Sequence, residues 1–164
     1  MSQFENDIKK FNGIYKLPVN NVPTLDYLGQ EGDYRKAAAQ RLTDFKSIIS
    51  EEVTEVEDII LGLTTGFRHE NGIQKDEPYT DIDALTDMAD WLGDIQVFCA
   101  SEMVKFGLPV AKVKATIMES NFSKLDENGN PIYDERGKVK KGPNYFKPEP
   151  QIKAILETLR FAFF

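Results

Sequence analysis

The stretch Ile48-Ile49-Ser50-Glu51-Glu52-Val53-Thr54-Glu55-Val56 decides how this chain is read. Each residue of a helix turns by about 100°. Phe45, Ile49, Val56, Ile60 and Leu63 then fall on one stripe, the side expected to face a core. Glu52 sits near the middle of that stripe and Glu55 at its edge, one turn on. An ionised carboxylate on such a face is costly unless something pairs with it. Glu52 and Glu55 are therefore the first candidates for a function, while Glu51 turns away.

Working outward, Leu42 to Leu63 keeps helical spacing, and Ala37-Ala38-Ala39 favours helix before it. The pattern predicts one long helix over about 34–63, with Asp33 or a neighbour as its cap. Gly62, Gly66 and the polar run to Pro78 end it. His69, Asn71, Gly72, Lys75 and Asp76 are expected in an exposed loop. Thr80 or Asp81 caps a third segment, 82–106, whose apolar face holds Leu85, Met88, Trp91, Leu92, Ile95, Phe98, Cys99 and Phe106. Asp83, Asp87, Asp90 and Asp94 form a line of carboxylates on its other side, and no Lys or Arg between Asp81 and Glu102 relieves them. Gly107 and Pro109 mark a stop and a start. A fourth segment, 109–123, carries Val110, Val113, Ile117, Asn121 and Lys124 on one face. A short amphipathic helix is expected over 3–15 and a last one over 151–164. The apolar end Phe161-Ala162-Phe163-Phe164 is expected to be covered, with another subunit as the candidate cover.

Residues 125–150 differ in character. Asn128-Gly129, Arg136-Gly137 and Gly142-Pro143 are turn signals, and they predict a small hairpin or extended loop over 131–141. Arg136, Lys138, Lys140, Lys141 and Lys147 make this excursion basic, with Tyr145 and Phe146 inside it.

The 164 residues suit a single domain, 1–164, with a sizeable core. One Cys excludes an intrachain disulfide, so a reducing cytoplasm is the expected home. No apolar run is long enough to span a membrane. The net charge of −7 argues against long nucleic acid as a partner, though not against a small anionic substrate. A single His leaves histidine-rich zinc sites, di-iron bundles and Ser-His-Asp triads without ligands.

Two antiparallel helices can set a Glu-x-x-Glu pair opposite an Asp-x-x-Asp pair. Such an all-oxygen cage suits hard divalent ions, and Mg²⁺ takes phosphate oxygens as further ligands. Asn121 and Lys124 would then meet a phosphate. Glu51-Glu52-x-x-Glu55, the acidic pair of the next long helix and Asn121-x-x-Lys124 together resemble the all-α nucleoside triphosphate pyrophosphohydrolases, over about residues 34–125. Ser120-Asn121-Phe122-Ser123-Lys124 and Lys141-Gly142-Pro143-Asn144-Tyr145-Phe146 resemble a MazG-like subgroup with a long C-terminal loop.

The resemblance implies an all-α fold with a four-helix-bundle core, and a homodimer or homotetramer. It implies Mg²⁺, with Mn²⁺ as a substitute, and cleavage of a nucleotide between its α and β phosphates. Glu52 and Glu55 would be the first metal pair, and Asp87 with Asp90 the second. The family's second pair is usually Glu-x-x-Asp, so Asp90 with Asp94 competes for that place. Glu52 or Glu55 would hold or deprotonate the attacking water. Lys124 would stabilise the leaving pyrophosphate. Asn121, Lys141, Asn144 and Tyr145 would bind substrate, and the basic loop would close over the phosphates. The alternative is a non-catalytic helical module that binds a nucleotide or a protein.

Plainer expectations stand beside these. Glu52 could form a structural ion pair with Arg41, Lys46 or Lys124. Tyr145 and Phe146 could be packing residues rather than a base-stacking platform. Trp91 is expected in the core, Cys99 as a buried inert thiol, and His69 as a surface residue.

Overall fold

The computed structural model describes residues 2–30 and 32–162. In chain order the elements are α1 Gln3–Ile14, α2 Tyr34–Thr65, β1 Phe67–Glu70, β2 Ile73–Pro78, α3 Asp81–Lys105, α4 Val110–Phe122 and α5 Pro148–Phe161. The protein is thus mainly helical, with one small antiparallel sheet. No helix among the described residues is long and apolar enough to cross a membrane. The chain divides into two compact units, residues 25–102 and residues 1–24 with 103–164.

In the unit of residues 25–102, Asp33 caps α2 by accepting from Lys36 N at 3.1 Å. Gly66 closes the helix in the left-handed region at φ 76°. The segment expected as a loop is instead the hairpin β1–β2. Glu70 pairs with Ile73, leaving Asn71 (φ 53°) and Gly72 (φ 75°) as a two-residue turn with both φ positive. That is the geometry Asn-Gly favours, so the signal was present in the sequence and under-read. Asp58 of α2 fastens the turn, its two carboxylate oxygens accepting from Asn71 N (2.7 Å) and Gly72 N (2.8 Å). His69 lies in β1, half-buried, rather than in a loop.

α2 and α3 run antiparallel, as their cross-links show. Gly62 lies against the Tyr79 ring, Glu52 is bonded to Trp91, and Arg41 to Glu102. The last is a two-pronged ion pair, Arg41 Nη2 to Glu102 Oε2 at 2.7 Å, with Glu102 buried. The expected stripe holds through Phe45, Ile49, Glu52 and Val56, which are half-buried or buried, and departs only past Val56. Ala38, Glu52, Ile59 and Gly62 are the buried positions, while Ile60 and Leu63 are more than half exposed. On α3, Ala84 and Ala100 are buried, but Leu85, Met88 and Leu92 are exposed. Cys99, expected to be buried, is exposed as well. Thr80 is the α3 cap: Asp83 N donates to its hydroxyl, and Asp83 accepts Thr80 N in return.

In the other unit, Ser2 caps α1 through Glu5 N. The fully buried Asn12 donates to Pro18 O at 3.3 Å and directs the chain out of α1. Asn20 and Thr24 then bond the backbone of Val104, Lys105 and Phe106. Gly107, at φ 67°, has no room for a Cβ against Val22 O. Pro109 offers α4 no side-chain cap. The buried Glu5 of α1 supplies one by accepting from Ala111 N at 3.1 Å. Ile8, Val104, Phe106 and Val110 form the apolar centre. α5 packs on α4, and its Ile152, Ile155, Leu156 and Leu159 are half-buried. The expected 131–141 hairpin is reduced to one antiparallel bridge, Tyr133 with Val139. Of the apolar C-terminal end, Phe161 is exposed, while Phe163 and Phe164 lie outside the described residues.

A Cβ at Gly62 would collide with the Tyr79 ring. That ring is pinned at its hydroxyl by Asp87 and covered by Arg68, so it cannot swing aside freely. Gly62→Ala is expected to lower stability by about 1–2 kcal/mol, overpacking outweighing the gain in helix propensity. Urea unfolding checks this, and a more stable variant would contradict the packing described.

Candidate functional site

The residues singled out from the sequence fall into an acidic set in the unit of residues 25–102 and an Asn–Lys set in the other unit. In the first, the Trp91 indole N–H donates to Glu52 O at 2.8 Å, holding α3 against α2 at this level. Trp91 is half-buried rather than a full core residue. Glu52 is only 8% exposed, and its Oε2 is buried with no hydrogen-bond partner. Burial pushes its carboxyl above the ordinary value, and the charges of Glu55, Asp94, Glu51 and Asp90 push it the same way. The structural ion pair with Arg41 is not formed: Arg41 bonds Glu102 and stands about three turns from Glu52 along α2. Glu55, Asp90 and Asp94 are exposed.

Among the described residues, no three His, Cys, Asp or Glu side chains are gathered closely enough to hold a metal ion as they stand. In kind, the donors fit a hard divalent cation. They are carboxylate oxygens only, one is buried and unpartnered, and each raises the cost of ionising Glu52.

Asp87 belongs to a different arrangement. Its Oδ2 accepts from the Tyr79 hydroxyl at 2.9 Å and from Arg68 Nη1 at 3.2 Å. Arg68 also lies 3.6 Å from Asp83 and 3.8 Å from Glu77, with its guanidinium 5.3 Å from the centre of the Tyr79 ring. The relief missing from α3's own sequence therefore arrives from β1. The Thr80 hydroxyl and N–H, with Arg68, hold the Asp83 carboxyl below its ordinary value. Burial, then the hydrogen bond to Asp87 and its charge, push the Tyr79 phenol up to about 12, with Arg68 opposing. Arg68 and Tyr79 were absent from the sequence reading. Reading Asn71-Gly72 as a hairpin turn would have carried Arg68 back towards α3.

In the other unit, Lys124 Nζ donates to Asn121 Oδ1 at 2.7 Å, one turn apart. Asn121 is exposed and Lys124 half-buried. Ser120 and Ser123, on the adjoining side of the helix end, bond the backbone of Phe146. Lys141 Nζ sits 4.6 Å from the centre of the Tyr145 ring. Asn144 is exposed in the turn between them. Gly142 N donates to Lys124 O at 2.9 Å, which brings the Lys141–Tyr145 segment beside Lys124. Asn121, Lys124, Lys141, Asn144 and Tyr145 thus form one local group.

No family model matches the chain, and no curated protein matches it. Among solved structures, it is similar to a protein from Exiguobacterium sp. 255-15 provisionally designated an NTP pyrophosphohydrolase. The TM-score is 0.51 at 20% identity, over 98% of each chain. At that identity, the likeness is one of fold.

Tyr79 is expected to ionise near pH 12. Its folded-state pKa lies above the ordinary 10.0, so between those values the unfolded chain binds fewer protons. The stability Tyr79 contributes is therefore lost as pH rises through that window. A phenolate absorbance titration should lose its step near pH 12 in Tyr79→Phe; an unchanged step there would contradict the assignment.

Proposed function

We propose that this chain is a Mg²⁺-dependent nucleoside triphosphate pyrophosphohydrolase of the MazG-like kind, with a four-helix-bundle core. It would act in the cytoplasm as a homodimer or homotetramer and release a monophosphate and pyrophosphate. One observation carries the reading. Glu52 Oε2 is buried without a partner on a helix flanked by Glu55, Asp90 and Asp94. A fold that keeps such a carboxylate gains little from it structurally. The fold likeness to a protein provisionally designated an NTP pyrophosphohydrolase agrees.

Glu52, Glu55, Asp90 and Asp94 would hold the metal. Asp87's bonds to Arg68 and Tyr79 favour Asp90 with Asp94 over Asp87 with Asp90 as the second pair. When bound, Mg²⁺ (or Mn²⁺) would neutralise phosphate charge and acidify a water. Glu52 or Glu55 takes the proton of the attacking water, and burial strengthens Glu52 as a base. The water oxygen bonds to the α phosphorus as the bond to the α–β bridging oxygen breaks. Its electron pair leaves with pyrophosphate, whose charge Lys124 meets as a point charge, with Asn121 donating beside it. Lys141, Asn144 and Tyr145 bind the substrate.

Pyrophosphate release from a panel of ribo- and deoxyribonucleoside triphosphates with Mg²⁺ tests the proposal. Binding without release from any of them would favour a non-catalytic module. Glu52→Gln is expected to lower turnover by about 100-fold or more, the usual worth of a general base. Its effect on metal-free stability should be the reverse. Because the folded-state pKa is raised, Glu52 costs stability as pH rises from the ordinary 4.5 through its folded value. The amide is spared that cost, so Glu52→Gln should melt higher than the parent at neutral pH. Calorimetry without metal checks it, and a lower melting temperature would sink the argument.

A further inference from the structure

Ser120-Asn121-Phe122-Ser123-Lys124 presents two sides at the end of α4. Asn121 and Lys124 bond each other on one. On the other, the Ser120 hydroxyl, in a residue 3% exposed, donates to Phe146 O at 2.8 Å. The Ser123 hydroxyl accepts from Phe146 N at 3.2 Å and donates to Ser120 O at 2.8 Å. Both backbone groups of Phe146 are thus taken by two hydroxyls one turn apart, in the way a neighbouring strand would take them. Four residues earlier, Gly142 N donates to Lys124 O at 2.9 Å. A Cβ at Gly142 would strike Leu125 O and Lys124 O, so only glycine permits that approach. Between these two fastenings lies Gly142–Phe146, with Tyr145 N bonded back to Gly142 O and the Lys141 ammonium over the Tyr145 ring.

We infer that Ser120, Ser123 and Gly142 are positioning residues that hold the basic segment Lys141–Phe146 ready-made beside Asn121 and Lys124, as a preassembled binding surface for a polyphosphate chain. In this arrangement the segment is already fastened at Gly142 and Phe146 before any ligand arrives. The inference rests on the proposed nucleotide chemistry only for the identity of the ligand. Lys141, Asn144, Tyr145, Asn121 and Lys124 would touch the polyphosphate, and the two serines and the glycine act through them. Pre-ordering removes the cost of fixing the segment at the moment of binding.

The test uses the full chain with Ser120 and Ser123 both changed to Ala. Amide hydrogen exchange should speed up at Gly142, Tyr145 and Phe146. Metal-free affinity for inorganic tripolyphosphate, by calorimetry, should fall about tenfold, as expected for losing two or three hydrogen bonds. With a nucleotide that is turned over, KM should rise by the same factor while kcat changes less than about threefold. Ser123→Thr, which keeps the hydroxyl, should restore protection and affinity when compared with Ser123→Ala. Should the double variant not fold, Ser123→Ala alone gives the same readouts. Faster exchange with unchanged affinity overturns the inference, and so does lost affinity with protection intact. Wild-type chain that binds tripolyphosphate but turns over no nucleotide would sink the enzymatic reading alone, and the affinity comparison then decides the positioning role.

Discussion

The indole of Trp91 donates to the main-chain oxygen of the residue whose side chain is hardest to accommodate. That bond holds α3 to α2 at Glu52, so the carboxylate has neither the freedom nor the solvent it would have on a solitary helix. Glu52 is left buried, with one oxygen unanswered and Asp90 and Asp94 close enough to raise its pKa. Above and below, the antiparallel pair is closed by unlike means. The buried Arg41–Glu102 ion pair holds one end, and the flat contact of Gly62 with Tyr79 the other. A charge of this kind survives in a fold only where its surroundings are over-determined.

The two units use glycine and short polar side chains in the same manner. Asp58 accepts from the hairpin turn, Glu5 from the first turn of α4, and Ser123 from Phe146. Each places a side-chain oxygen from one element on a backbone N–H of another. None of these bonds is large, at about 1 kcal/mol apiece. Their value is directional, because each fixes where a loop or helix end must lie. The contrast is with Arg68, which gathers Glu77, Asp83 and Asp87 around one guanidinium and turns α3's line of carboxylates from a liability into an attachment for the β1–β2 hairpin.

The bounds of α1 to α4 were legible in the sequence to within a residue or two, since Asp33, Thr80, Gly66, Gly107 and Pro109 act locally, while α5 starts three residues earlier than expected, at Pro148. The burial of Glu52 was legible as well, with Phe45, Ile49 and Val56 half-buried around it, though the stripe failed beyond Val56. A 100° wheel cannot say which flank of a broad apolar face meets a partner; Ile60 and Leu63 lie on the flank left exposed, and Cys99 of α3 is exposed too. Asn71-Gly72 showed the turn, but β1 and β2 are short and polar and lack the alternation by which strands are usually found. Arg68 and Tyr79 could not be paired with Asp87 without that hairpin. The serines of α4 were quoted only as part of a motif, because a hydroxyl's preference for one distant backbone carbonyl leaves no periodicity.

Glu5 bears on how the chain reaches its fold. Its carboxylate and the amide it caps are 106 positions apart in sequence. The first helix can coil early from local interactions, but it cannot bury Glu5 until α4 has been made and brought back to it. Closing so long a segment is slow, because the entropy of the intervening chain is surrendered before any contact returns it. The order of events is thereby constrained. The antiparallel pair of α2 and α3, joined through the β1–β2 hairpin, is closed by contacts nearer in sequence and can form from them. The unit carrying Asn121 and Lys124 is built from residues 1–24 and 103–164, so its contacts close a much longer stretch of chain.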